Sequence, residues 1–206
     1  MFAARLPQGW QAHIAPMQDM VDLEAKPDFA KANALVFTSA NAVRSFARRW
    51  AVRNLPAYCV GDATTAIAQE LGLVAHSAGG DSADLSAMLA SLPPQNLLYL
   101  HGKNIRSRLS VPGQTIAALP IYNQLALPLD EGTHRALAAN ELCATALFSP
   151  RSAALLVAES RNWPSLTCIC LSAAVAALAA PLGPCLVAAQ PNADALLATI
   201  GTFSAP

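Results

Sequence analysis

Ala34-Leu35-Val36-Phe37-Thr38-Ser39-Ala40-Asn41-Ala42-Val43, continued by Arg44-Ser45-Phe46-Ala47-Arg48-Arg49-Trp50, is the stretch from which the fold can be read. Ala34–Phe37 is a short apolar run that stops at two hydroxyl residues. Beyond them Ala42, Val43, Phe46, Ala47 and Trp50 recur at the spacing of one helix face. The stretch therefore predicts a strand, a polar turn able to cap, and a helix. The same order returns along the chain. Tyr58–Val60 reads as a strand, Gly61-Asp62 as a turn and Ala63–Leu71 as a helix stopped by Gly72. Leu73–His76 and Ala83–Leu92 form the next strand and helix, the latter ended by Pro93-Pro94. Leu97–His101 is a strand, Ile105–Leu109 a short helix, and Thr115–Leu119 a strand running on to Gln124. Strands alternating with such helices imply a parallel sheet covered on both faces.

The second half repeats the arrangement: helix Leu129–Leu142, strand Ala144–Phe148, helix to Ser160, strand Thr167–Leu171, helix Ala173–Leu182, strand Leu186–Ala189, helix Asn192–Phe203. Phe37 and Phe148 stand 111 positions apart, as do Gly61 and Ser172, while Asp84 and Asp194 stand 110 apart. Two copies of a βα module are the simplest account. Ile14–Glu24 and Leu119–Leu127 fit neither copy; each is extended and carries a proline. They read as two crossings of a double linker, at residues 14–24 and 119–127. The expected architecture is α/β, with two similar parallel-sheet domains joined by a two-stranded linker and the first repeat inserted into the other domain. Domain 1 is then residues 1–17 plus 125–206, domain 2 residues 22–119, and Gln11–Ala15 a strand of domain 1. Double linkers permit hinge motion around a cleft, and crevices at the carboxyl ends of parallel strands are where ligands bind.

Composition narrows the function classes. Residues are 54% hydrophobic and 13% charged, which excludes disorder. Thirteen Lys and Arg balance thirteen Asp and Glu, so no basic surplus recruits nucleic acid or an anionic membrane. A local basic cleft stays open, because Arg44, Arg48, Arg49, Arg53, Lys103, Arg106 and Arg108 all fall in the first half. Met1–Trp10 has no apolar stretch behind its Arg5, and no run is long enough to span a bilayer, so a cytoplasmic location is expected. The five cysteines are scattered, and Cys168 and Cys170 read as small buried residues on one strand face. His13, His76, His101 and His134 are dispersed, and no metal site is expected. No phosphate loop, dinucleotide fingerprint, zinc-protease motif or nucleophile elbow is present.

What remains is a set of polar turns after strands: Thr38-Ser39-Ala40-Asn41, Gly61-Asp62-Ala63-Thr64, His101-Gly102-Lys103, Ser149-Pro150-Arg151-Ser152, and Ser172. Each can be a helix cap and nothing more. As a set, hydroxyls and backbone N–H groups at helix starts are also natural seats for carboxylates.

In order and spacing, Val36–Val43, Val60–Thr64, His101-Gly102-Lys103-Asn104-Ile105-Arg106, Tyr122 and Phe148–Ala153 resemble the landmark series of the uroporphyrinogen-III synthases. The resemblance covers nearly the whole chain. It implies a cofactor-independent lyase that closes the linear tetrapyrrole hydroxymethylbilane into a macrocycle, inverting the last pyrrole ring and releasing water. It implies that Tyr122, on the linker, assists departure of water. It implies that Thr38, Ser39, Asn41, Gly61, Thr64, Gly102, Lys103, Arg106, Ser149, Arg151 and Ser152 bind the substrate's propionate and acetate groups. A monomer in transient contact with hydroxymethylbilane synthase is expected, with no nucleic acid or membrane partner. The family commonly opens with a strand, Thr-Arg-Pro and a helix, which have no counterpart here, so domain 1 is expected to lack a strand. His101 replaces a common Arg, Ser172 and Val175 a Gly and a Thr, and Asn192 a Thr. A non-catalytic two-lobed binding protein, or a degenerate paralogue of the same fold, is the competing reading.

Overall fold

The computed structural model describes residues 2–105, 108–161 and 163–203. The chain divides into two compact units, one of Met20–Leu125 and one of Met1–Asp19 with Ala126–Pro206. Strands β1 (Gln18–Asp22) and β6 (Thr115–Ala126) carry the chain from one unit to the other.

In the Met20–Leu125 unit the elements between them are β2 (Ala34–Phe37), α1 (Ala40–Arg49), β3 (Ala57–Cys59), α2 (Asp62–Glu70), β4 (Ala75–Ser77), α3 (Ser82–Ala90) and β5 (Asn96–Gly102). The sheet runs β1-β6-β5-β2-β3-β4, with β5, β2, β3 and β4 parallel to their neighbours and β6 parallel to β5. All four residues of β2 are fully buried, because both faces of the strand are covered. Leu35 and Phe37 pack with Val43 and Phe46 of α1, while Ala34 and Val36 pack with Leu85 and Leu89 of α3. This is the period-2 alternation of a strand between two helical layers. Phe46 is the hub of one layer, with ring centroids 5.6 Å from Phe37, 5.9 Å from Phe29 and 6.0 Å from Trp50. Truncating such a residue to Ala costs about 3–5 kcal/mol.

Three arginines of this unit, Arg48, Arg49 and Arg53, are structural. Arg53 donates to the carbonyls of Ala47, Trp50, Val52 and Leu71, closing the end of α1. Arg49 donates to the Ile121 carbonyl at 2.9 Å and lies over the Trp50 ring, and Arg48 pairs with Asp22. Three of the cations open to a basic cleft are thereby committed to holding α1.

The second unit holds α4 (Glu131–Ala138), β7 (Ala144–Leu147), α5 (Pro150–Glu159), β8 (Thr167–Cys170), α6 (Ala173–Ala179), β9 (Cys185–Val187) and α7 (Ala193–Thr202). Its sheet is parallel, in the order β7-β8-β9. Cys168 and Cys170 face the same core, fully buried among Leu147, Leu156 and Val175. Ile169, between them, faces the opposite layer with Leu196 and Ile200.

Three expectations need correction. Gln11–Ala15 is not a strand: Ile14 is 69% exposed and His13 bonds the Thr133 hydroxyl instead of a sheet neighbour. Helix α4 is shorter than Leu129–Leu142, because the Asp130 carboxylate caps its start and Asn140, at φ 56°, breaks it. The short helix Ile105–Leu109 falls partly on Arg106 and Ser107, outside the described residues; Ile105, Arg108 and Leu109 are not helical.

Candidate functional site

In the Met20–Leu125 unit, β2 and β5 end at residues singled out in the sequence, and β6 carries another, Tyr122, within its length. Thr38 and Ser39 follow β2 directly. Ser39 is the N-cap of α1, its Oγ accepting from the Asn41 backbone N–H at 3.1 Å. The same oxygen accepts from the Tyr122 hydroxyl at 3.2 Å, which leaves Ser39 its own proton to donate. Tyr122 stands on β6 and is 7% exposed.

Its position is set by β5. The β5–β6 register shifts between His101 and Gly102, so that Gly102 faces Tyr122. A Cβ added to Gly102 would meet Cζ of Tyr122 at 2.7 Å, so the ring lies directly on the glycine. The Lys103 N–H then donates to the Tyr122 carbonyl at 2.7 Å, tying the loop after β5 to β6. His101 is buried, and its Nδ1 lies 2.7 Å from the Gly102 carbonyl, which fixes the proton on Nδ1.

Tyr99, two residues earlier on β5, was not among the sequence candidates. It is 3% exposed, and its hydroxyl lies 2.9 Å from Thr38 Oγ1. Burial pushes its pKa above the ordinary tyrosine value, against a lowering by the Thr38 bond and with a further rise from Tyr122. The available signal was a polar-tipped aromatic within the otherwise apolar run Leu97–Leu100. Two tyrosines from neighbouring strands thus hold two consecutive hydroxyls, Tyr99 on Thr38 and Tyr122 on Ser39.

The other sequence candidates take their places around helix starts. Asn41 opens α1 and accepts from Arg44 at 3.4 Å. Gly61 is the N-cap of α2 without a side chain to cap it, and Thr64 is buried in the first turn. Lys103 is exposed, and Arg106 lies outside the described residues. Lys103 and Arg108 border a groove of about 790 Å³ with Tyr99, His101 and Pro120.

In the second unit Ser149 caps α5, accepting from the Ser152 N–H at 3.1 Å, and the two hydroxyls are 2.8 Å apart. Gln18, also missed in the sequence, donates to Ser152 Oγ at 3.1 Å. Arg151 sits in the first turn of α5, half-buried. Gln18, Ser152 and Thr133 line a largely apolar cavity of about 1010 Å³ that also runs along β7. Among the described residues no group of three or more His, Cys, Asp or Glu could hold a metal ion, and no helix is long and apolar enough to cross a membrane. Hydroxyls, backbone N–H groups and few formal charges make an arrangement that can seat carboxylates and can present a protonated phenol.

Comparisons with known proteins give a family and a fold. Residues 3–198 match the family model of uroporphyrinogen-III synthase HemD. Among solved structures, the uroporphyrinogen-III synthetase of Helicobacter pylori is similar at a TM-score of 0.73 and 20% identity, over 96% of this chain and 94% of that one. A mutant uroporphyrinogen III synthase from the extremely thermophilic bacterium Thermus thermophilus is similar at a TM-score of 0.58 and 16% identity, over 97% and 92%. At those identities the two structures speak for the fold. No curated protein matches in sequence.

Proposed function

This chain belongs to the uroporphyrinogen-III synthase family, and from that premise we propose that Tyr122 and the hydroxyls at the strand ends carry its reaction. The family's activity is a cofactor-independent lyase reaction in haem biosynthesis, with hydroxymethylbilane as substrate. The bond from the hydroxymethyl carbon to its oxygen breaks, the oxygen leaves as water, and the resulting azafulvene cation is attacked by the substituted carbon of the last pyrrole ring. The older bridge bond at that carbon then breaks and re-forms at the ring's free carbon, which loses its proton, leaving the ring inverted.

Tyr122 is the group that assists the departing oxygen with a proton. The observation that carries this reading is its hydroxyl on Ser39 with its ring seated on Gly102. The phenol is nearly buried and donates to Ser39, so its proton reaches the leaving oxygen by way of the Ser39 hydroxyl, which gives up its own proton as it takes that of Tyr122. Such a positioned acid contributes on the order of 10²–10⁴ in rate. Water must be kept from the cation, which a buried acid serves and a solvated one does not. Spontaneous closure gives the uninverted isomer, so most of the task is holding the chain for attack at the right carbon.

For that holding we assign Thr38, Ser39, Asn41, Gly61, Thr64, Gly102, Lys103 and Arg106 in one unit, and Ser149, Arg151 and Ser152 in the other. Their N–H and hydroxyl groups match the propionate and acetate carboxylates of the substrate without a large basic surplus. Asp62 opens α2 but accepts from Ser77 at 2.6 Å, which satisfies it away from an incoming anion. We also infer that the two units are copies of one module. The helix caps Ser39, Gly61 and Asp81 precede Ser149, Ser172 and Asn192 by 110, 111 and 111 positions, each between a parallel strand and its helix. A monomer in the cytoplasm, receiving its substrate from hydroxymethylbilane synthase, fits this role.

The test is incubation with hydroxymethylbilane generated in place by its synthase, then oxidation and chromatographic separation of the uroporphyrin isomers. A dominant type III peak is expected. Only type I from a folded sample would overturn the reading in favour of a non-catalytic binding protein.

A further inference from the structure

We infer that Tyr99 is a positioning residue for substrate binding: its hydroxyl orients the Thr38 hydroxyl so that Thr38 donates its proton to a substrate carboxylate. This deepens the reading above and rests on Thr38 being a carboxylate ligand.

Strand register brings the two hydroxyls together. Val36 of β2 is paired with Tyr99 of β5, and Thr38 lies two residues beyond Val36 on the same face. The Tyr99 side chain therefore reaches along β2 to its end, where Oη meets Thr38 Oγ1 at 2.9 Å. The ring packs with Val36, Leu97 and Leu89, and Phe would fill that space equally well. What Tyr adds is one buried hydroxyl, and a buried hydroxyl is costly unless it is bonded.

Two hydroxyls in contact carry two protons, and only one lies between the oxygens. The phenol is the stronger acid and the better donor, so it gives its proton to Thr38. Thr38 then keeps its own proton on the half-buried side, pointing away from Tyr99. A chain of this kind strengthens the outer donor. The raised pKa of Tyr99, due first to burial, keeps the phenol protonated throughout the neutral range. The ring itself is held by His101, whose centroid lies 4.7 Å away and whose Nδ1 is fixed on the Gly102 carbonyl. One position further on, Tyr122 gives its proton to Ser39 in the same manner. Neighbouring strands thus set the proton direction of both hydroxyls at the end of β2.

The experiment is a double-mutant cycle on the full chain with hydroxymethylbilane, reading KM, kcat and the thermal midpoint. Tyr99→Phe is expected to raise KM about tenfold, leaving kcat within about twofold and the fold intact. Thr38→Val is expected to raise KM at least as much, Thr38→Ser to stay near native, and the double variant to be no worse than Thr38→Val alone. An unchanged KM in Tyr99→Phe would overturn the inference while leaving the carboxylate reading of Thr38 in place. Additive losses would do the same, because Tyr99 would then act by a route other than Thr38. An unchanged KM in Thr38→Val would sink the carboxylate reading, and the role of Tyr99 with it.

Discussion

The Tyr122 ring rests on Gly102: a Cβ at Gly102 would stand 2.7 Å from Cζ and 2.9 Å from both Cε2 and Oη of the tyrosine. No side chain fits that gap, and the atoms in the way belong to a ring that is 7% exposed and cannot swing into solvent. Gly102→Ala must therefore push the ring off the β5 backbone and break its bond to Ser39. Turnover is expected to fall at least tenfold, with the folded state retained by circular dichroism. Native turnover in this variant would show that the seat of Tyr122 is irrelevant to chemistry.

Tyr122→Phe leaves the ring on Gly102 and removes the hydroxyl with its proton. Because that proton is needed as the hydroxymethyl oxygen departs, kcat is expected to drop about 10²-fold or more. KM is expected to stay within about threefold. The residual product should contain a larger share of type I uroporphyrin, as spontaneous closure catches up. Steady-state rates with isomer separation decide this, and unchanged kcat would remove Tyr122 from the mechanism.

Much of this was legible in the sequence because strand ends and helix caps are local events. Ser39, Ser149, Asp130 and Asn192 cap helices through side-chain bonds that span three residues at most. The βα alternation of both halves follows from apolar period and turn residues alone, and the family follows from the order of the turns. Tyr99 was not legible, since its partner Thr38 lies 61 residues away and meets it only through the β2–β5 register. The Gly102–Tyr122 contact likewise depends on a register shift between β5 and β6 that no local pattern encodes. Gln11–Ala15 misled because extended character and strand pairing look alike in sequence, and pairing needs a neighbour. The arginines misled because a cation gives no sign of whether it faces a ligand or, as Arg53 does, a helix's own carbonyls.

The cysteines are expected to be inert. Burial pushes the Cys59 thiol up to about 11, against a lowering by its bond to Thr65. Burial, with the neighbouring thiols adding to it, pushes Cys168 and Cys170 each up to about 12. Alkylation needs the thiolate. Iodoacetamide at pH 8 is therefore expected to label only the half-buried Cys143 and Cys185 in the native protein. Peptide mass spectrometry should find the other three labelled only after unfolding, and rapid native labelling of Cys168 would contradict their burial.

Asp22 links β1 to α1 and gives the Met20–Leu125 unit a pH-dependent stability. Burial alone would raise its carboxyl. The hydrogen bonds from Ser45 at 2.6 Å and Arg48 at 2.9 Å, with the charges of Arg48 and Arg49, outweigh burial and hold it below the ordinary value. A depressed carboxyl stabilises the fold above its unfolded pKa of ~3.9, and that contribution is lost as pH falls through the lower folded value. Asp22→Asn is thus expected to lower the thermal midpoint at pH 7, with the gap to native closing below about pH 4. A gap constant from pH 7 to pH 3 would mean that packing rather than charge holds this contact.

The two sheets are unequally protected, and β7 is where this is measurable. In one unit β2 is flanked by β5 and β3, and its four residues are fully buried. In the other, β7 pairs with β8 on one edge, its other edge borders the cavity of about 1010 Å³, and only Leu147 of its four residues is buried. Along a parallel strand the N–H groups alternate between the two edges, so a strand paired on one side leaves about half of them without a ladder partner. Such amides open locally at far lower free energy than those of a central strand. Hydrogen exchange at neutral pH is expected to protect all of Ala34–Phe37 for hours while alternate amides of Ala144–Leu147 exchange within minutes. Equal, slow exchange in both strands would mean that the β7 edge is closed in solution, and that the cavity beside it is filled.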